Sequence, residues 1–217
     1  MKKAVIFDLD GTLLNTIEDI ADSMNIVLTE AELPAHPIES YKKFVGNGMP
    51  KMVERALPKE LGNKENVEKY TQKMREVFAE NWDKKTKLYP EVDDLLNALQ
   101  HNRCKMAILS NKPHKFTLET YEKYLSKWSF DVVQGWDASR YPLKPDPKSS
   151  FAIAQKLHVN PEEVIFVGDS DVDILTAKNA GFFAIGVSWG FRGPKELQEA
   201  GADQVVYSPL EILKFLK

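Results

Sequence analysis

The chain has 217 residues, 43% of them apolar and 28% charged, with a formal net charge of −3. That length buries a sizeable core in one large domain or a domain with a smaller insert, and that charge gives no electrostatic case for nucleic acid or an anionic membrane as partner. The single cysteine, Cys104, excludes an internal disulfide, and no run approaches the roughly 18 apolar residues of a membrane span, so a cytoplasmic soluble protein is the expectation.

In chain order, residues 3–7 form a short apolar run that stops at the acidic turn Asp8-Leu9-Asp10-Gly11-Thr12. Only Ala4-Val5-Ile6-Phe7 precedes Asp8, too short for a signal-peptide core. From 15 to 82 the pattern is helical throughout. Ile17, Ile20, Met24, Val27, Leu28 and Ala31 make one apolar stripe, and Val67, Tyr70, Met74, Val77 and Phe78 make another. Residues 91–100 read as a helix. Residues 104–109 read as a strand ending at Ser110-Asn111, with Cys104 as a small buried hydrophobe, and 130–133 as a further strand. A helix over 147–157 opens with proline in its first turn. A strand over 164–167 follows, then a helix over 171–179 with Gly181 as its stop, and strands over 183–187 and 203–206. Continuously apolar strands alternating with helices predict an α/β fold, a Rossmann-like doubly wound parallel sheet covered on both faces. The helical stretch predicts an inserted all-α cap. The expected division is a catalytic core of residues 1–14 plus 86–217 and a helical cap of residues 15–85.

Ligands of an open parallel sheet bind at the carboxyl ends of its strands. There this sequence places Asp8, Asp10 and Thr12, then Ser110 and Asn111, then Lys144, then Asp169, Ser170, Asp171 and Asp173. Packed carboxylates repel unless a cation joins them, and Mg²⁺ takes oxygen ligands, including one or two carboxylates and substrate phosphate. Asp8 and Asp169 supply such a pair, with Asp173 placed to hold a metal-bound water. Asp8 is the candidate nucleophile and Asp10 the candidate acid/base. Ser110 and Lys144 suit the transferring phosphoryl oxygens. Thr12 and Asn111 are candidate substrate-binding residues at the same strand ends. In the helical stretch, Gly46-Asn47-Gly48 is either an interhelical turn or a loop closing over a small anionic substrate. Arg55 is either a ligand for a substrate carboxylate or a solvated helix residue. The segment Ser188-Trp189-Gly190-Phe191-Arg192 follows a strand and is either a border of the site or an ordinary loop. His36, His101, His114 and His158 lack metal-ligand spacing, and Trp82, Trp128, Trp136 and Trp189 read as core or interface anchors.

Over its whole length the chain resembles the haloacid-dehalogenase superfamily of phosphohydrolases. Val5-Ile6-Phe7-Asp8-Leu9-Asp10-Gly11-Thr12-Leu13 is similar to its first motif, Leu109-Ser110-Asn111-Lys112 to its second and Lys144-Pro145-Asp146-Pro147 to its third. Val167-Gly168-Asp169-Ser170, with Asp173 and Ala180-Gly181, is similar to its fourth. The resemblance implies Asp8 as nucleophile and Asp10 as acid/base. It implies Mg²⁺ on the Asp8 carboxylate, the Asp10 main-chain oxygen and Asp169, with Asp173 assisting, and a helical cap. Asp10 and the acidic fourth motif argue against dehalogenation. Phe44-Val45-Gly46-Asn47-Gly48 and Val53-Glu54-Arg55-Ala56-Leu57 resemble the phosphoglycolate phosphatase branch. The expected activity is hydrolysis of a small phosphorylated metabolite, phosphoglycolate first, through an aspartyl-phosphate. A phosphomutase, a pyrophosphatase or a sugar-phosphate phosphatase on the same scaffold are the alternatives. A non-enzymatic phospho-acceptor module stands further off, because Asp10 would shorten the life of its acyl-phosphate. Oligomeric state is not legible in the sequence.

Overall fold

Ala4, Val5, Ile6 and Phe7 are all fully buried, because they form the strand at the centre of the sheet. The computed structural model describes residues 2–140 and 142–217. After this first strand, β1 (Ala4–Phe7), come β2 (Leu14–Asn15) and the helices α1 (Ile17–Glu30), α2 (Ile38–Phe44), α3 (Met49–Ala56) and α4 (Lys64–Asn81). Next are β3 (Lys87–Leu88), α5 (Val92–His101), β4 (Lys105–Pro113), α6 (His114–Tyr124), β5 (Val132–Trp136) and α7 (Lys148–Lys156). Then follow β6 (Val164–Gly168), α8 (Asp171–Ala180), β7 (Phe183–Val187), α9 (Pro194–Glu199) and β8 (Gln204–Val206), and a 3-10 helix over Pro209–Phe215 closes the chain.

Six strands form one parallel sheet in the order β5-β4-β1-β6-β7-β8. Counted in chain order within that sheet, this is 3-2-1-4-5-6, the doubly wound order, and β1 lies at its switch point. Alternate side chains of each strand enter opposite layers. Val5, Phe7, Ile165 and Val167 pack with Val92, Leu95, Leu96 and Leu99 of α5. Ala4, Ile6, Val164 and Phe166 pack with Ile153 of α7 and Ile174 and Ala177 of α8. Trp128 is a core anchor, and its indole N–H donates to Asn97 Oδ1 at 2.8 Å. Cys104 is half-buried against the α5 layer, and burial pushes its thiol up to about 11, away from thiolate chemistry.

The four helices α1–α4 build a third cluster. Ile17, Ile20, Met24, Val27 and Leu28 of α1 meet Tyr41 of α2, Met52 and Val53 of α3, and Met74 and Phe78 of α4. Phe116 of α6 joins it from the sheet side. The chain enters and leaves this layer through an antiparallel ribbon in which Leu14 pairs with Leu88 and Asn15 with Lys87. Buried Asp19 clasps the return. Its carboxylate accepts from the Lys85 N–H at 2.9 and 3.1 Å, and from the Thr86 N–H and hydroxyl, both at 2.8 Å. Asp19→Ala would orphan these donors, so we expect a loss of about 3 kcal/mol in urea unfolding. A change below about 1 kcal/mol would show that the clasp contributes little.

Three sequence expectations shift. The strand expected over 104–109 runs on to Pro113, with a register shift between Leu109 and Pro113. Ser110, Asn111 and Lys112 therefore sit in an irregular strand end, free of the regular ladder. The strand expected over 130–133 is Val132–Trp136 instead. Asp131 delays it, because its carboxylate accepts from the Met106 N–H at 3.0 Å while its own N–H donates to Met106 O at 2.8 Å. Helix α6 was not among the expected elements. No helix among the described residues is long and apolar enough to cross a membrane.

Candidate active site

Asp8 follows β1 directly, and its N–H donates to Val167 O of β6 at 2.9 Å, continuing the ladder by one residue. This fixes the carboxylate over the central strands, where it is 8% exposed. Asp169 follows β6. Asp173 lies in the first turn of α8 and closes a capping box. Its Oδ2 accepts from the Ser170 hydroxyl at 2.6 Å and the Ser170 N–H at 3.1 Å. Lys144 Nζ, itself buried, donates to Asp8 Oδ1 at 2.7 Å and to Asp173 Oδ1 at 2.6 Å.

Carboxylate oxygens of Asp8, Asp169 and Asp173 lie within 4.8 Å of one another. Three buried carboxylates thus face one ammonium. Burial pushes the Asp8 carboxyl up to about 7, with Lys144 opposing and Asp173 adding to the rise. Burial, then Asp173 and Asp8, hold Asp169 well above the ordinary range against the Phe191 N–H and Arg192. Burial alone would lower Lys144, but Asp173 and Asp8 outweigh it and keep the ammonium charged. An all-oxygen donor set with excess negative charge fits a hard divalent cation.

Backbone packing leaves no slack around Asp169. Gly11 has φ +92°, and a Cβ there would stand 2.4 Å from Asp169 Oδ2. A Cβ on Gly190 would stand 2.2 Å from Asp169 Cβ. Asp169 accepts from the Phe191 N–H at 2.8 Å and from the Thr12 hydroxyl at 3.3 Å.

Between this cluster and helices α1–α4 lies a pocket. Asp8, Asp10, Ser110, Asn111, Lys144 and Asp169 line its floor. Ile20, Met49, Met52, Met74 and Phe78 form its apolar roof. Asn111 ties the two sides together. Its amide donates to Gly46 O at 2.9 Å and to Lys144 O at 3.2 Å, while its Oδ1 accepts from the Lys144 N–H at 2.8 Å.

Residues 5–187 match the family model of haloacid dehalogenase-like hydrolases. The chain belongs to this family. Among its relatives, a phosphoglycolate phosphatase of Psychrobacter arcticus is 32% identical, over 91% of this chain and 88% of its own. Another, of Mannheimia succiniciproducens, is also 32% identical, over 99% of this chain and 98% of its own. A solved structure from Lactobacillus delbrueckii subsp. bulgaricus, a candidate phosphoglycolate phosphatase, superposes with a TM-score of 0.93. It is 27% identical and covers 100% of this chain and 99% of that one. Within the haloacid dehalogenase-like hydrolases the chain is phosphoglycolate phosphatase-like, a phosphoric monoester hydrolase.

Not every residue expected to bind substrate in this hydrolase lines the pocket. Gly46 and Gly48 do, each at positive φ, 109° and 84°. Thr12 is turned to Asp169, and its carbonyl accepts from the Trp189 indole N–H at 3.0 Å. Arg55 is spent inside the helical layer, where Nη1 donates to Phe44 O and Nη2 to Asn47 Oδ1, both at 2.8 Å. That occupies Asn47 as well, and neither residue is in the lining. Two cations had no expected role. Lys112 Nζ donates to Asp10 Oδ1 at 2.9 Å and lies 5.0 Å above the Phe78 ring. Arg192 lines the pocket beside Val45 and Gly46. Lys112 was visible as the residue after Ser110-Asn111, and Arg192 as the end of the segment following β7. Only the fold shows that their side chains turn inward.

Proposed function

We propose that the chain hydrolyses a small phosphate monoester, phosphoglycolate being the first candidate, through an aspartyl-phosphate on Asp8. The observation that carries this reading is the buried Asp8 carboxylate, paired to Lys144, grouped with Asp169 and Asp173, and open to the pocket beside Asp10. An Asp8 oxygen attacks phosphorus as the bond to the leaving oxygen breaks, and Asp10 protonates the departing alkoxide. Water then attacks the same phosphorus, Asp10 takes its proton, the acyl-phosphate bond breaks, and orthophosphate leaves. Lys144 and Ser110 hold phosphoryl oxygens, and Lys112 holds the Asp10 side chain in place. The Asp8 carboxylate, the Asp10 main-chain oxygen and Asp169, with Asp173 assisting, would hold Mg²⁺, which would supply the positive charge that lets a carboxylate meet a phosphate. Residues 15–85 act as a cap over a core of residues 1–14 plus 86–217, and their apolar roof excludes water from the reacting groups.

A phosphate-release screen over small phosphorylated metabolites tests the activity. Phosphoglycolate should rank among the best substrates, and a product isomerised without phosphate release would point to a mutase instead. EDTA should cut turnover by at least about 100-fold, with recovery on adding Mg²⁺, and persistent activity would remove the metal from the mechanism.

Melting curves give a second readout of the metal. With Asp8 raised to about 7 and Asp169 raised too, the folded chain binds more protons than the unfolded chain from about pH 4 to 7. Metal-free stability contributed by these groups is therefore present at acid pH and lost as pH rises through that window. Mg²⁺ should raise Tm more at pH 8 than at pH 5, and an equal rise at both would contradict the assignment of these carboxylates as ligands.

A further inference from the structure

The geometry points to Arg192 as the residue that reads a second anionic group of the substrate, a carboxylate close to the phosphate, while it latches the helical layer over the site. This rests on the phosphatase reading above. Arg192 leaves the loop after β7, one residue beyond the Phe191 amide that holds Asp169. Its Nε pairs with Glu196 at 2.9 Å. Its Nη2 donates across to the helical layer, to Val45 O at 3.2 Å and Lys43 O at 3.4 Å, at the end of α2. The remaining nitrogen, Nη1, is buried and has no hydrogen-bond partner among the described residues. A buried guanidinium nitrogen left without an acceptor is costly, and this side chain faces the pocket, where a ligand oxygen can complete it.

The other pocket cations are already committed, Lys144 to Asp8 and Asp173 and Lys112 to Asp10. Arg192 instead offers a whole buried nitrogen that is paired to no carboxylate of the site. Its planar, permanently charged fork matches a carboxylate better than a neutral group. Because Arg192 adjoins the loop around Asp169, the second anion must lie near the phosphoryl site. That favours a short acidic leaving group over a long neutral one. The same guanidinium grips the carbonyls of the layer above, so filling Nη1 with a substrate carboxylate also stiffens the latch.

The test compares phosphoglycolate with ethyl phosphate, which is similar in size and lacks the carboxylate, using the full chain with Mg²⁺. Wild type should prefer phosphoglycolate. R192M should lower kcat/KM by about 100-fold on phosphoglycolate and by less than about 5-fold on ethyl phosphate. R192K, which keeps the charge and loses the fork, should lose about 10-fold on phosphoglycolate and keeps the test valid if R192M folds poorly. Equal losses on both esters would reduce Arg192 to a latch and overturn the inference, as would full phosphoglycolate activity in R192K. A wild type that hydrolyses both esters equally well would overturn it while leaving the phosphatase reading intact. A wild type that releases phosphate from neither would sink both.

Discussion

Asp8→Asn is expected to abolish phosphate release, a loss of at least about 10⁴-fold, in a chain that folds normally. A neutral amide has no carboxylate oxygen with which to attack phosphorus, so no acyl-phosphate forms. The substitution keeps the shape of the side chain and removes one of the two buried carboxylates that share Lys144. In metal-free protein at pH 8 its melting temperature should therefore equal or exceed that of wild type, because the folded state no longer carries a carboxylate that burial disfavours. Retained turnover within about 100-fold would remove Asp8 as the nucleophile. A strongly lowered melting temperature would show that Asp8 holds the fold as well as the chemistry.

Lys144→Met is expected to fail in two ways at once. Lys144 is 5% exposed and bridges Asp8 and Asp173, so its removal leaves two buried carboxylates without their shared partner. Breaking a buried pair from one side costs about 3–5 kcal/mol, which denaturant unfolding reads directly. Turnover should fall by about 10³-fold, since a positive charge at the transferring phosphoryl group is lost. Mg²⁺ should recover part of the stability and little of the rate, because the ion neutralises the carboxylates without replacing the ammonium. Normal stability in the variant would mean that the carboxylates are already protonated or solvated, and the electrostatic account of the site would fall.

How much of this was legible before folding depends on what each residue type reports. β1, β6 and β7 are short, wholly apolar and buried on both faces, so their pattern suffices to find them. The acidic and basic residues at their ends then converge because parallel strands share one carboxyl edge. Helix α6 escaped because its strip of Phe116, Thr117 and Thr120 mixes apolar and polar buried positions. The buried hydroxyls are satisfied locally, Thr117 on Lys112 O and Thr120 on Phe116 O, and hydropathy carries no trace of that. Arg55 and Arg192 show the limit for single charges. Both are arginines near Gly46 in the fold, yet one is consumed by carbonyls within the helical layer and the other keeps a nitrogen for the pocket. Side-chain direction decides between them, and no spacing rule encodes it.

The ribbon of β2 and β3 has a consequence beyond this site. Leu14 stands opposite Leu88 and Asn15 opposite Lys87, and paired strands lie only about 5 Å apart, so the chain departs for the helices and comes home at nearly one point. Such a segment behaves as a graft on the sheet. Helices can be lengthened, shortened or exchanged between those two crossings without adding a strand, shifting a register or moving the Asp8 carboxylate. Changes in those helices are expected to alter which esters are accepted while the carboxylates on the sheet keep their places.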